Sequence, residues 1–178
     1  MPYLLDLLNL GGNAIGDAGA TALGEAVKVN ASLQSLLLSN NEISSTGAIN
    51  LAEGLKVNAV LTDLDLHENN IGTMGATALA DALKVNAALE NLDIWGNRIG
   101  DAGAAVLSKA LTVNAVLKHL RLDDNNIGPE GAAALADGLR GNAALEELVL
   151  DHNNTGPEGA SALAEGLRSN VLLKGAGP

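Results

Sequence analysis

Leucines recur along this chain every 28 residues, and the apolar and polar positions between them repeat with the same spacing. The series begins at Leu5 and reaches Leu173, and each unit follows the pattern LxxLxLxxNxIGxxGAxxLAxxLxxN. A fixed period of this length indicates a solenoid, in which each repeat buries its apolar face only against its neighbours. We therefore expect six repeats in a single domain over residues 1–178, with Leu173 opening a partial seventh unit.

Each unit is predicted to contain one short strand and one helix. In the third unit, Leu64 and Leu66 alternate with Asp63 and Asp65, which is typical of a half-buried strand. The apolar spacing then changes to a helical period, with helix starts near residues 17, 45, 73, 101, 129 and 157. Asparagine can adopt the left-handed conformation that closes a helix. We therefore expect the helices to end at Asn30, Asn58, Asn86, Asn114, Asn142 and Asn170.

The two layers of such a stack differ in spacing, and this difference predicts its curvature. Neighbouring strands lie about 4.8 Å apart, whereas packed helices need about 8–10 Å. The stack should therefore bend into an arc with the strands on the inside.

The repeat resembles the ribonuclease-inhibitor-like leucine-rich repeat, found in ribonuclease inhibitor, in NOD-like receptor arrays and in Ran GTPase-activating proteins. The resemblance implies an α/β solenoid, or horseshoe, with a concave parallel sheet and convex helices. It also implies a ladder of asparagines, running from Asn13 to Asn153, that bond the backbone of adjacent turns. Unlike ribonuclease inhibitor, this chain is short and has no recognisable capping units. We therefore expect a fragment of a longer array or an engineered segment, whose uncapped ends could form a homo-oligomer.

Composition narrows the possible environments and chemistries. The chain has no cysteine, which excludes disulfides and thiolate metal sites and favours a cytoplasmic location. Its N-terminal segment MPYLLDLLNL lacks the features of a secretion signal, and no run approaches the roughly 20 apolar residues of a membrane helix. We expect a soluble protein without a membrane partner.

Negative charge is concentrated at the strand positions that vary between repeats. The variable positions of LxxLxLxxN hold 11 of the 21 acidic residues but only two of the ten basic ones, Lys118 and Arg121. On the expected fold these positions face solvent on the concave side. We call the candidate partner-binding residues among them the acidic face: Asp63, Asp65, His67, Glu68, Asn91, Asp93, Trp95, His119, Arg121, Asp123, Asp124, Glu147, Asp151 and His152. Such a surface should attract a basic protein or peptide and repel nucleic acid.

Trp95 is the sharpest single candidate on the acidic face. It is the only tryptophan of the chain, and His67 and Asp123 flank it in the equivalent positions of the adjacent repeats. Its ring could receive a partner's arginine or lysine while nearby carboxylates pair the charge. The alternative is that Trp95 merely packs over neighbouring side chains.

Two chemical alternatives have weaker support. A metal site could form from His67, Asp65, Glu68 and Asp93, but neither a closed tetrahedral spacing nor a shielding pocket is evident. Ser39 and His67 lie on adjacent strands, but no orienting acid or oxyanion hole accompanies them. We therefore predict no metal, no cofactor and no enzymatic activity.

Three functional hypotheses follow from these features. The favoured one is a module that binds a basic protein or peptide on its acidic face. The second is an array that positions a GTPase, as the resemblance to Ran GTPase-activating proteins suggests. The third is a structural or designed solenoid segment without a ligand.

Overall fold

Strands and helices alternate along the chain, as the repeat predicts. The computed structural model describes residues 4–175. Six strands are formed by Leu7–Asn9 (β1), Ser35–Leu37 (β2), Asp63–Asp65 (β3), Asn91–Asp93 (β4), His119–Arg121 (β5) and Glu147–Val149 (β6). Six helices are formed by Gly16–Val29 (α1), Ser45–Leu55 (α2), Gly72–Leu83 (α3), Gly100–Leu111 (α4), Pro129–Gly141 (α5) and Gly156–Gly175 (α6). Every helix starts within one residue of its predicted position.

The strands form one open parallel sheet whose order follows the chain, β1 to β6. Equivalent residues of successive repeats lie side by side, so that Leu36 pairs with Leu64 and Leu64 with Leu92. Helices likewise pack against their neighbours in chain order. The predicted α/β repeat solenoid is thus confirmed, and the wider spacing of helices places the sheet on the inner side of the stack.

The core consists of layers of aliphatic side chains contributed once per repeat. The central strand leucines Leu36, Leu64, Leu92 and Leu120 are at most 1% exposed. The isoleucines Ile43, Ile71, Ile99 and Ile127 are fully buried where the chain leaves the sheet for the helix. Because each layer repeats the one before it, burial is uniform through the middle of the array. Within the described part of the chain, no helix is long and apolar enough to span a membrane.

The asparagine ladder implied by the resemblance is confirmed. Asn97 is fully buried, and its amide nitrogen donates to the carbonyl oxygens of Leu66 and Ile94 at 2.9 and 3.1 Å. Its amide oxygen accepts from the backbone N–H of Ile71 at 3.2 Å. Asn41, Asn69 and Asn125 make equivalent bonds in their own repeats. One side chain therefore satisfies the backbone of two successive turns, where a bare loop would leave polar groups unpaired.

The prediction that a second row of asparagines closes the helices in a left-handed conformation is wrong. Helices α1 and α5 do end directly before Asn30 and Asn142, but these two residues are extended, with φ of −75° and −82°. Helices α2, α3 and α4 end three residues before their asparagines. Asn86 shows the reason. Its amide nitrogen donates to the carbonyl oxygens of Leu55 and Asn58 at 2.7 and 2.9 Å. Its amide oxygen accepts the backbone N–H groups of Ala88 and Leu89 at 2.9 and 2.8 Å, so the side chain joins the backbone of successive repeats in a second ladder.

The expected seventh unit is also absent from the described residues. Helix α6 continues through position 173 as far as Gly175, so Leu173 opens no strand and Asn170 ends no helix. Asn170 still donates to the carbonyl oxygens of Leu139 and Asn142 at 2.6 and 2.7 Å, as its equivalents do. Local helix preference does not explain the difference, because the residues after Asn142, two alanines, a leucine and two glutamates, are equally good helix formers and lead into β6.

Candidate functional site

The strand register brings the acidic residues of successive repeats together. Asp65 of β3 lies beside Asp93 of β4, and Asp93 lies beside Arg121 of β5. The preceding outward positions align Asp63, Asn91 and His119 in the same way. Because side chains alternate along a strand, these residues share the sheet surface opposite the leucine core. Residues with no proximity in sequence thus become direct neighbours.

Around this alignment lies a group of six side chains that we call the central cluster: Asp65, His67, Asp93, Trp95, Arg121 and Asp123. Next to it is a shallow hollow of about 220 Å³, lined by Asp63, Asp65, Asn91, Asp93, His119 and Arg121 among others. The predicted association of Asp65, Asp93, His67 and Trp95 on one side of the molecule therefore agrees with their placement.

Asp65 and His67 form the closest polar pair of the central cluster. Oδ1 of Asp65 lies 2.7 Å from Nδ1 of His67 and also accepts the backbone N–H of His67 at 2.9 Å. Both side chains are largely but not wholly covered, with 18% and 28% of their surfaces exposed. The carboxylate therefore fixes the orientation of the imidazole while leaving part of it accessible to solvent. The expectation that no acid orients His67 is wrong, because Asp65 lies two residues before it on the same side of the sheet.

Trp95 stacks on His67. The ring centroids are 5.2 Å apart and the planes differ by 27°. Such offset stacking is a favourable arrangement of aromatic rings. The tryptophan is consequently half-buried instead of standing free on the sheet, although part of its surface still faces solvent.

The surroundings of Asp93 in the central cluster raise the pKa of its carboxyl. Burial raises the pKa of its carboxyl above the ordinary value, and the neighbouring Asp65 carboxylate adds to the rise. The N–H of Trp95, which donates to Oδ1 at 3.0 Å, and the charges of Arg121 and His67 act in the opposite direction. The net rise means that the charged form of Asp93 is destabilised where it lies, chiefly because burial removes water from the carboxylate.

Arg121 lies between two carboxylates without a close bond to either. Its Nη1 is 3.4 Å from Oδ2 of Asp93, and its Nε is 3.6 Å from Oδ2 of Asp123. Both separations exceed the usual hydrogen-bond range for a charged pair. Its side chain is 48% exposed, so that the guanidinium is held by charge more than by fixed geometry.

The expectation that Asp123 faces solvent is wrong, since the residue is only 5% exposed. Its Oδ2 is buried without a hydrogen-bond partner among the described residues. An aspartate is short, and adjacent strands are about 4.8 Å apart, so the longer side chains of Trp95 and Arg121 in neighbouring positions can shade it. The predicted position of Asp123 within the repeat is correct, but the exposed fraction of its side chain depends on the size of the neighbouring side chains.

Glu68 lies apart from the other three residues that the sequence offered as a weakly supported metal site. Its backbone is left-handed, with φ of 52°, where the chain leaves β3. Its side chain lies beside Gly96 of the next repeat: a Cβ added to Gly96 would be 3.6 Å from Cγ of Glu68. Asp65, His67 and Asp93 instead form the group, with one donor atom of each within 4.8 Å of the others.

The remaining residues of the acidic face lie outside the central cluster. Asn91 and His119 contact each other through Oδ1 and Nδ1 at 2.6 Å. Asp63 is half-buried on β3, and the members of the acidic face in the last two repeats are exposed: Asp124, Glu147, Asp151 and His152. Two residues of the same surface were not among the candidate partner-binding residues. The hydroxyl of Ser35 donates to Oδ2 of Asp63 at 2.8 Å, and Nζ of Lys118 is 2.8 Å from a carboxylate oxygen of Glu90. Both occupy the same variable positions as the selected residues, which was the available signal.

The fold defines a class of repeat protein that presents an open parallel sheet as its inner surface. The chain matches the family described as Leucine Rich repeat over residues 5–24, 29–52, 57–80, 85–108, 113–136 and 141–164. It therefore belongs to the leucine-rich repeat family, and its repeats are consistent with the ribonuclease-inhibitor-like kind.

Solved structures similar to this chain include two domains with low sequence identity. Leiomodin-1 actin-binding site 2 superposes with a TM-score of 0.73 at 22% identity, covering 85% of this chain and 88% of that one. The tropomodulin C-terminal domain of Caenorhabditis elegans superposes with a TM-score of 0.71 at 16% identity, covering 89% and 99%. At these identities the similarity shows a shared fold. No curated protein matches the chain in sequence.

Proposed function

We propose that this protein is an interaction module that binds an arginine- or lysine-rich segment of another protein at the central cluster. The supporting observation is the side-by-side placement of Asp65 and Asp93, next to the partly exposed ring of Trp95. Aromatic and charged groups in this combination are typical of interface hot spots. No reaction is part of the proposal.

Arg121 indicates what kind of group the cluster would receive. Its guanidinium lies 3.4 Å from Asp93 and 3.6 Å from Asp123. The space between these two carboxylates therefore accommodates a guanidinium group. Burial and the Asp65 carboxylate raise the pKa of Asp93, so its negative charge is destabilised in the free protein and would be stabilised by a partner's cation. A partner's guanidinium over Trp95 could satisfy it through cation–π contact and hydrogen bonds.

The test uses the emission of Trp95, the only tryptophan of the chain. An arginine-rich peptide should change the emission in a saturable way, and a glutamate-rich peptide of the same length should not. Higher salt should weaken binding because exposed charges are screened. Followed by calorimetry, Trp95→Ala should weaken binding by about tenfold or more, equivalent to ~1.4 kcal/mol.

Charge-matched variants locate the binding site on the sheet. Asp65→Asn and Glu147→Gln each remove one negative charge, but Glu147 lies on β6 at the far end of the sheet. Asp65→Asn should weaken peptide binding clearly more than Glu147→Gln. Equal effects would indicate diffuse attraction without a site, and no binding by the parent protein would overturn the proposal.

Actin is a second candidate partner. The leiomodin-1 domain that superposes on this chain is an actin-binding site, and the superposition covers 88% of that domain. Co-sedimentation with filamentous actin would test this directly. Retention of the protein with filaments, weakened by Trp95→Ala, would favour actin over a short basic segment, whereas protein remaining in the supernatant would remove actin as a partner.

A further inference from the structure

Three side chains of the central cluster carry the donor atoms that divalent transition metals prefer. One oxygen of Asp65, one oxygen of Asp93 and one ring nitrogen of His67 all lie within 4.8 Å of one another. In a tetrahedral zinc site, ligand atoms about 2.0–2.2 Å from the metal are separated by about 3.3–3.6 Å. Small side-chain rotations would therefore bring these three donors to bonding distance of one ion.

We propose that Asp65, His67 and Asp93 bind a divalent transition-metal ion of the zinc class, with water completing its coordination. The imidazole decides the class, because Ca²⁺ and Mg²⁺ prefer sites built only of oxygen atoms. This site goes beyond the proposed peptide-binding function and does not require it.

The neighbouring contacts hold the three donors in place before an ion arrives. His67 is fixed on one side by its stack on Trp95, with ring centroids 5.2 Å apart. Its Nδ1 already faces Oδ1 of Asp65 at 2.7 Å, where a metal ion would replace the shared proton. Asp93 is oriented by the N–H of Trp95, which bonds Oδ1 at 3.0 Å. Preorganised ligands lower the ordering cost of binding.

Electrostatics also favours a divalent ion at this position. Asp65 and Asp93 are neighbours in the strand register and repel each other, and an ion between them would turn this repulsion into attraction. The competing cation is Arg121, whose Nη1 lies 3.4 Å from Oδ2 of Asp93. Because its side chain is 48% exposed and not closely bonded, it can turn toward Asp123 and solvent when the ion binds.

The experiment measures binding of metal ions alone to the full chain stripped with chelator. Calorimetric titration with Zn²⁺ should show one saturable site per chain. Titration with Cu²⁺ should quench Trp95 emission at the same stoichiometry, because the ion would bind next to the ring that stacks on His67. His67→Gln, which leaves every carboxylate in place, should weaken Zn²⁺ binding by about tenfold or more.

His119→Gln is the matched control. His119 lies on the same sheet surface, but its Nδ1 contacts the amide oxygen of Asn91 at 2.6 Å instead of a carboxylate. Zn²⁺ affinity should be unchanged in this variant. The site would be overturned if the parent showed no saturable binding, or if His67→Gln bound Zn²⁺ as tightly as the parent while both variants kept the parent's circular dichroism.

The outcome is separable from that of the proposed function. Peptide binding is measured in the presence of chelator, where the metal site plays no part. Peptide binding without Zn²⁺ binding would overturn the metal site alone, and Zn²⁺ binding without peptide binding would support the metal site and overturn the peptide site.

Discussion

The surroundings of a carboxylate can stabilise or destabilise its charged form, and Asp17 and Asp93 show the two cases. Burial raises the pKa of Asp17, but hydrogen bonds from Ser44 and Gly47 outweigh it, so that its pKa is lowered. Burial and Asp65 leave the pKa of Asp93 raised. A lowered carboxyl pKa contributes stability that is lost as pH falls through the folded-state pKa, and a raised one costs stability at neutral pH.

Substitution by asparagine should therefore have opposite effects at these two positions. Asp93→Asn should leave stability at pH 7 unchanged or raise it by up to ~1 kcal/mol, because the cost of burying the charge and the repulsion from Asp65 are removed. Asp17→Asn should lower it by about 1–2 kcal/mol. The Ser44 hydroxyl would lose its acceptor Oδ2, and the N–H groups of Ser44 and Gly47, 2.8 and 2.9 Å from Oδ1, would bond a neutral oxygen instead of a charged one. Urea unfolding at pH 7 and below pH 4 measures both.

Both differences from the parent should shrink as the pH falls through the carboxyl range, where the parent residues become protonated and resemble asparagine in charge. A loss of stability at pH 7 in Asp93→Asn comparable to that in Asp17→Asn would contradict the conclusion that the charged form of Asp93 is destabilised.

Sequence reasoning located the central cluster but not its internal contacts. The repeat period fixes which residues become neighbours across the sheet, so Asp65, Asp93 and Trp95 could be placed together in advance. The pairing of Asp65 with His67 and the burial of Asp123 depend on side-chain rotamers and on the sizes of adjacent residues. Neither quantity is encoded in the period, and so neither was predicted.

At the scale of strands and helices, buried asparagines join successive repeats. Element types and helix starts were predictable because apolar periodicity and proline or serine at helix starts are local signals. The role of the asparagines before the strands was not. Asparagine favours both left-handed turns and side-chain bonds to backbone, and only the neighbouring repeat decides between them.

Asn86→Ala should therefore be strongly destabilising. The residue is 6% exposed. Its side chain bonds two carbonyl oxygens and two backbone N–H groups in adjacent repeats. Leaving such buried groups unpaired costs about 1–3 kcal/mol or more in total, whereas Asn154→Ala on the exposed surface should change stability by less than ~0.5 kcal/mol. Thermal and urea unfolding provide the comparison. Similar small losses in the two variants would show that the second ladder contributes little.

For the molecule as a whole, stability should depend on a residue's place along the stack. A solenoid behaves as a one-dimensional series, in which a central repeat contacts two neighbours and the last described strand pairs on one side. Leu92 on β4 is 1% exposed, whereas the equivalent Leu148 on β6 is only partly buried. Two leucines at the same position of the repeat are thus buried to different extents because they lie at different places along the stack.

Leu92→Ala and Leu148→Ala test this dependence with one chemical change at two places. Leu92→Ala should cost about 2–5 kcal/mol, the range for a fully buried leucine, because both adjacent layers lose contacts. Leu148→Ala should cost clearly less, since part of the side chain is already in contact with water and fewer neighbours lose a partner. Hydrogen exchange should likewise be slower for backbone amides of β4 than for those of β6. Equal losses in the two variants, with uniform exchange along the sheet, would show that the array unfolds as one indivisible unit.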